Sequence, residues 1–247
     1  MVAGILGEPE RAVRLLLAGD EFDTWRVDDR LVVKFPRSEE HAAKVSVEIA
    51  LHPLLRDRLG ALVPGLGLIG GPDHRFPFPF VGFEPATGVQ GQTLDGRTVT
   101  PGPGLAADVA AALRRLHEVD EATALAAGAG LRPLRWEAPA LDRRSLERIA
   151  GLPVPDALAF LEEPPPPRGT RSVLCHTDLK GEHVFVDARA TRVTAIIDWA
   201  DAEVCDPALD LAGLTIWQGP RFVRAAAAAY GDTDDGTLAE RAIWLGR

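Results

Sequence analysis

Side chains able to do chemistry are concentrated between Leu174 and Asp201. One apolar run, Val173-Leu174, delivers His176 and Asp178, and another, Val184-Phe185-Val186, carries the chain away from Lys180 and His183. A third, ending Ile196-Ile197, delivers Asp198, with Trp199 and Asp201 just beyond. Polar groups at the ends of buried strands stand on a rigid scaffold, where reacting groups can be held closely. Two carboxylates arriving this way, with an imidazole between them, suit a magnesium–phosphate site. Magnesium takes few protein ligands and leaves its other positions to water and phosphate oxygens. Moving a phosphoryl group asks little covalent work of a protein, since positioning and cationic stabilisation carry most of the rate. His176, Asp178 and His183 could instead begin a hydrolytic metal site, but no further histidine or carboxylate spacing supports one.

These residues need elements to bring them together. The sequence predicts an opening helix over Glu8–Leu17, with Val13, Leu16 and Leu17 at helical spacing, broken at Gly19 and Asp20. Thr24–Val27 and Leu31–Phe35 form an expected hairpin turning at Asp28-Asp29-Arg30. Pro36, which has no backbone donor, ends its second strand. A helix is expected over Ser38–Leu59, with Ser38 as N-cap and Glu39 and Glu40 complementing the helix dipole. Pro64–Gly91 suggests short strands running into a linker at Glu84–Gly91. Alternating Phe and Pro over Phe76–Phe80 suit an edge strand whose rings enter the core. A helix from Leu105 to about Val119 follows, then helical sequence to Phe160, then a stiff polyproline connector at Pro164–Pro167. The three short apolar runs are buried strands, and the C-terminal residues return to helix. This order gives an α+β, two-lobed chain. A small β-rich lobe with a hinge occupies residues 1–87, and a larger, mostly helical lobe with the catalytic and acceptor sites occupies 88–247.

His-x-Asp-x-x-x-x-His, then a strand ending Ile-Ile-Asp-Trp, then Asp206-Pro207-Ala208-Leu209-Asp210-Leu211 resembles the aminoglycoside phosphotransferase family, which shares the protein-kinase-like fold. His176-Thr177-Asp178-Leu179-Lys180 is similar to a protein-kinase catalytic loop. Most of that family carries Asn where this chain has His183, whereas the 2″-aminoglycoside and macrolide branches resemble it with His. Ile197-Asp198-Trp199-Ala200-Asp201-Ala202-Glu203 is similar to the macrolide branch. The strong resemblance covers His176–Leu214 and a weaker one reaches back through Val33–Arg37.

The resemblance implies a cytoplasmic small-molecule kinase that moves the γ-phosphate of ATP or GTP onto a hydroxyl of an antibiotic such as an aminoglycoside or macrolide. In that reading Asp178 accepts the acceptor's proton or orients its hydroxyl. His183 and Asp198 hold Mg2+. Lys34 contacts the α- and β-phosphates and Glu48 fixes its rotamer. Phe83, Glu84 and Ala86 belong to a hinge whose backbone meets the base, and Lys180 reaches the γ-phosphate. His176 braces the loop, and Asp210 hydrogen-bonds it from a helix start. A glycine-rich phosphate loop is absent; Ala18-Gly19-Asp20-Glu21-Phe22-Asp23 stands in its place, with Glu21 expected only to face solvent. Relatives usually run longer, which implies an open acceptor pocket or a missing terminal wall.

Composition narrows the alternatives. Of 247 residues, 46% are apolar and 26% charged, which excludes disorder of the whole chain. A net charge of −9 with no basic stripe argues against nucleic acid as partner. No window approaches the ~18 apolar residues of a membrane span, and Met1–Gly7 lacks the pattern of a secretory signal. Cys175 and Cys205 are too few for a disulfide framework and are expected as reduced thiols. Asp201, Glu203 and Asp206 form either a rim for a cationic acceptor or a solvated acidic loop, and His117 is expected to pack at a helix end. A monomer or weak dimer is expected. A metabolic amino-alcohol or sugar kinase would use the same residues. A nucleotide-binding pseudokinase is disfavoured by the retained Lys34, Asp178 and Asp198. A protein kinase is disfavoured by the short interval from Asp198 to Asp210.

Overall fold

Asp28 and Asp29 both take positive φ, 48° and 53°, the left-handed pair that a tight hairpin turn needs. The hairpin they close, β2 (Phe22–Val27) and β3 (Leu31–Pro36), sets the register of the first sheet, with Lys34 opposite Thr24 and Pro36 in its last pair. The computed structural model describes residues 2–6, 12–93, 96–132, 164–167, 169–231 and 236–246.

The expected opening helix is not formed over its described part. Val13–Ala18 is instead β1, paired antiparallel to β2 with a register shift between Leu15 and Leu17. A leucine run suits a helix locally, but the free edge of β2 offers a full ladder of partners, and such pairing overrides propensity. A second correction concerns the Phe-Pro run. Phe76–Pro79 precede the strand β5 (Phe80–Phe83), which is internal; the sheet order is β1-β2-β3-β5-β4, with β4 (Leu66–Gly70) at the edge. The prolines fall before the first ladder pair and so remove no hydrogen bond from it. The rings do enter the core: Phe35 lies 4.7 Å from Phe80 and 5.2 Å from Phe76, centroid to centroid. The short helix α1 (Val2–Ile5) packs beneath them.

Ser38 caps α2 (Glu39–Leu59) as expected, its hydroxyl accepting the His41 N–H. This helix belongs to both halves of the molecule. Val45 packs with Phe22 and Val81 of the first sheet. Leu51, Leu55 and Leu59 enter the main core with Val109, Leu113 and Leu116 of α3 (Leu105–Leu116). Each leucine buried this way contributes about 1.5–3 kcal/mol.

Beyond the linker, β6 (Val89–Gln90) pairs with β9 (Val184–Val186), which pairs with β10 (Val193–Ile196). After α4 (Glu121–Ala126), β7 (Gly130–Leu131) lies parallel to β11 (Glu203–Cys205), and β8 (Val173–Cys175) pairs with β11 antiparallel. The three runs read as buried strands are therefore strands. α5 (Ala208–Tyr230), kinked at Gly219 ahead of Pro220, and α6 (Leu238–Leu245) close the fold. The helical sequence expected up to Phe160 lies mostly outside the described residues. Among the described residues no helix is long and apolar enough to cross a membrane. Cys175 and Cys205 are buried and free.

Candidate active site

The segment from His176 to His183 is held from below by one face of α5. Asp210, Gly213 and Trp217 stand at i, i+3 and i+7, the spacing of a single helical stripe. Asp210 accepts the His176 N–H at 3.1 Å and the Thr177 N–H at 2.8 Å. Gly213 lets the helix approach the Leu179 peptide; a Cβ there would lie 2.7 Å from the Leu179 carbonyl carbon. Trp217 lies against Gly181 and donates its indole N–H to the Gly91 carbonyl at 3.0 Å. The linker closes the other side, with the Gln92 N–H on the Gly181 carbonyl and the Gln90 amide on the Glu182 carbonyl.

This bracing offsets strain. Thr177 has φ 68° and Asp198 has φ 66°, positions that non-glycine residues seldom adopt and that cost about 1–3 kcal/mol each. Thr177 is held by Asp210 and by its hydroxyl on the Asp201 carbonyl at 2.6 Å. His176 is fully buried. Its Nε2 donates to the Ile197 carbonyl, and its Nδ1 accepts the Asp178 N–H. Burial, with His183 alongside, lowers its pKa, so the ring stays neutral and braces the loop, as expected.

The Asp178 carbonyl accepts His183 Nδ1 at 2.6 Å. A carbonyl can only accept, so Nδ1 carries a hydrogen, while Nε2 lies 3.7 Å from Asp198 Oδ2. Lys34 Nζ lies 2.6 Å from Asp198 Oδ1 and 2.9 Å from Glu48 Oε2, while Glu48 Oε1 accepts the Trp199 N–H. Burial alone would lower the Lys34 ammonium and raise the Asp198 carboxyl. Their mutual attraction outweighs this, helped by Glu48 for the lysine and His183 for the aspartate, so Lys34 rises and Asp198 falls well below the usual carboxylate range. The Asp178 carboxylate is partly exposed, 3.1 Å from Lys180 Nζ.

A cleft of about 440 Å³ opens between the lobes. Leu16, Leu17 and Val32 line it from the first sheet and Phe185 and Ile197 from the second lobe, giving two apolar walls for a flat ring. Lys34, Glu48, Phe83, Glu84, Ala86, His183 and Asp198 also line it. Asp178 and Lys180 lie outside that lining, Asp178 joined to it through His183. All nine residues singled out in the sequence thus fall in or beside one cleft.

Other expectations change. Glu21 does not simply face solvent: it pairs with Lys44, which also pairs with Asp201. Nor are Asp201, Glu203 and Asp206 a rim of free acids, since Glu203 pairs with Arg132 and the buried Asp206 with Arg241 of α6. His117 does more than pack, because its Nε2 reaches Asp210. It forms a buried cluster with Cys175 and Asp210, but both its nitrogens are already hydrogen-bonded. No local sequence signal marks these pairings; His117 and Asp210 are 93 residues apart.

Comparison with known proteins agrees with this fold. The profile of the phosphotransferase enzyme family matches residues 12–244. Among curated proteins, none matches the chain at a significant level. Among solved structures, the GDP and kanamycin complex of APH(2″)-IIia is 26% identical, with TM-score 0.77 over 100% of this chain and 86% of that one. The apoenzyme of macrolide 2′-phosphotransferase from Brachybacterium faecium shares the fold at 23% identity, with TM-score 0.70 over 95% and 82% of the two chains. The streptomycin–ATP–APH(2″)-IIa ternary complex shares it at 16% identity, with TM-score 0.59 over 94% and 81%.

Proposed function

Because the chain belongs to the phosphotransferase enzyme family, we propose that it is a small-molecule kinase transferring the γ-phosphate of ATP or GTP to a hydroxyl of an aminoglycoside- or macrolide-like acceptor. The observation that carries this reading is the convergence of Lys34, Asp198 and His183 in one interlobe cleft, with Asp178 beside it against His183. The named ligands of the relatives, GDP with kanamycin and ATP with streptomycin, support the nucleotide and the acceptor class.

The base would enter between the apolar walls. At the hinge the Glu84 N–H is already taken by the Gly65 carbonyl and Pro85 has none, which leaves the Ala86 N–H to meet a base edge. Lys34, fixed by Glu48, would hold the α- and β-phosphates. The ionised Asp198 carboxylate suits a hard divalent cation with open positions, and His183 Nε2, 3.7 Å from it, would be the second protein ligand once unprotonated. Magnesium held there would neutralise charge on the phosphate oxygens. Asp178 would accept a hydrogen bond from the acceptor hydroxyl and take its proton as the oxygen–phosphorus bond forms and the γ-phosphorus parts from the bridging oxygen, which leaves with the nucleoside diphosphate. Lys180, beside Asp178, would meet the γ-phosphate. We place the lobe boundary at residue 87 and the protein in the cytoplasm, in keeping with its buried free thiols.

The test is magnesium-dependent nucleoside diphosphate release from ATP and GTP across a panel of aminoglycosides, macrolides and amino alcohols. Release stimulated by an antibiotic supports the reading, and stimulation by an amino alcohol alone would move the acceptor class. Absence of both stimulation and nucleotide binding would refute it. Asp178→Ala should abolish turnover and leave nucleotide affinity nearly unchanged.

A further inference from the structure

The turn between β1 and β2 stands where a phosphate-covering loop is expected, yet its tip carries Asp20 and Glu21 in place of glycines. An acid near a polyanionic nucleotide is unfavourable unless something neutralises and aims it. Glu21 Oε1 lies 2.6 Å from Lys44 Nζ, and the same ammonium lies 2.9 Å from Asp201 Oδ1. Lys44 therefore bridges the first sheet's turn and the segment that follows Asp198 in the second lobe.

Lys44 and Glu48 are four residues apart on α2 and share a face. Glu48 takes the Trp199 N–H and Lys44 takes the Asp201 carboxylate, so Trp199–Asp201 is fastened to one helix at both ends. The Asp201 carbonyl in turn accepts the Thr177 hydroxyl, next to Asp178. The turn is itself stiff: the Gly19 N–H donates to the Phe22 carbonyl, the Arg37 N–H to the Glu21 carbonyl, and Arg37 Nη1 to the Gly19 carbonyl at 2.6 Å. The Phe22 ring, next in sequence to Glu21, lies 4.5 Å from Lys34 Nζ, which ties the end of the turn to the site's central ammonium. Burial would lower the Lys44 pKa, but the hydrogen bonds the ammonium donates to both carboxylates outweigh it and the group stays charged. Without Lys44, Glu21 and Asp201 would be two unpaired like charges facing each other across the lobes.

We propose that Lys44 is a positioning residue: by pairing with Glu21 and Asp201 together, it latches the β1–β2 turn onto the second lobe and sets how closely the turn covers the terminal phosphate. The inference rests on the phosphoryl-transfer reading of the cleft. All three side chains are partly exposed, so the latch is screened by salt and can open for nucleotide exchange.

The test compares wild type with Lys44→Met, Lys44→Arg, Glu21→Gln, Asp201→Asn and the Glu21→Gln/Asp201→Asn double variant. It reads nucleotide affinity, kcat, KM and amide hydrogen exchange over residues 19–22. Lys44→Met should raise the nucleotide KM by up to about tenfold, the scale of two partly exposed ion pairs lost together. It should also speed exchange at the turn, and its deficit should shrink at high salt. Lys44→Arg should restore most of the loss, and the two acid substitutions should be less than additive. A folded Lys44→Met with nucleotide constants within twofold of wild type would overturn the proposal, even if its melting temperature fell. A wild type that binds no nucleotide would instead defeat the phosphotransfer reading, and faster exchange in Lys44→Met would still uphold the latch itself.

Discussion

His117 Nε2 lies 3.0 Å from Asp210 Oδ2, joining the end of α3 to the start of α5 beneath the His176–His183 loop. A carboxylate can only accept, so Nε2 carries a hydrogen, and Nδ1 shares a hydrogen bond with the Tyr230 hydroxyl at 3.0 Å. Asp210 thus gathers three donors, His117 and the backbone N–H groups of His176 and Thr177, at a site closed to water.

Asp210→Asn turns one of those acceptors into a donor and strands a buried N–H. The expected loss is about 1–3 kcal/mol of stability, read by urea unfolding, with kcat falling because the strained Thr177 is no longer held. Unchanged stability together with unchanged kcat would show that the loop does not depend on this bracing.

Gly181→Ala places a methyl group against the Trp217 ring and about 2.6 Å from Gln92 Cβ. The loop must move, and displacement on this scale lowers kcat by about a hundredfold while nucleotide affinity stays near wild type. Trp217→Leu in the same chain should recover part of the loss. Steady-state kinetics on the two variants decide the matter.

His183→Asn removes the imidazole and keeps an oxygen donor near the Asp198 carboxylate. Activity should survive within about tenfold, whereas His183→Ala should lose far more and regain part of it at raised magnesium. An inactive but folded Asn variant would count against the ligand role.

Burial alone would push the Asp198 carboxyl up; Lys34 and His183 hold it well below its ordinary 3.8. A carboxyl whose pKa drops on folding stabilises the fold above its unfolded value, and that share is lost as pH falls through the folded one. The difference in unfolding free energy between wild type and Asp198→Asn should stay constant from neutral pH down to about 4 and shrink below that. Denaturation at stepped pH reads this; convergence already between pH 7 and 5 would contradict the pairing.

The residues that converge at the cleft were legible as a group because they lie close in sequence on strand ends. Asp178, His183 and Asp198 fall within one short stretch, bounded by apolar runs that proved to be strands β8, β9 and β10. The hairpin was legible because Asp28 and Asp29 suit left-handed φ. β1 was not, because a leucine run carries no alternation and the partner that decides its conformation is another strand. The two-residue strands β6 and β7 exist only because β9 and β11 offer them ladders. The pairings of His117 with Asp210 and of Lys44 with Asp201 join residues far apart in sequence, which no local pattern encodes.

The double membership of α2 has a mechanical consequence. Val45 is anchored in the first sheet while Leu51, Leu55 and Leu59 are anchored in the main core. The covalent linker is therefore not the only axle between the lobes. Opening the cleft has to carry the sheet about a helix whose far end is packed in the main core, so that rod constrains the direction of travel. The same arrangement makes the larger lobe dependent on residues that precede the linker: cut away, they would leave a trench lined by Val109, Leu113 and Leu116. Gene fragments starting after Gly91 would thus encode an aggregating chain rather than a smaller working unit.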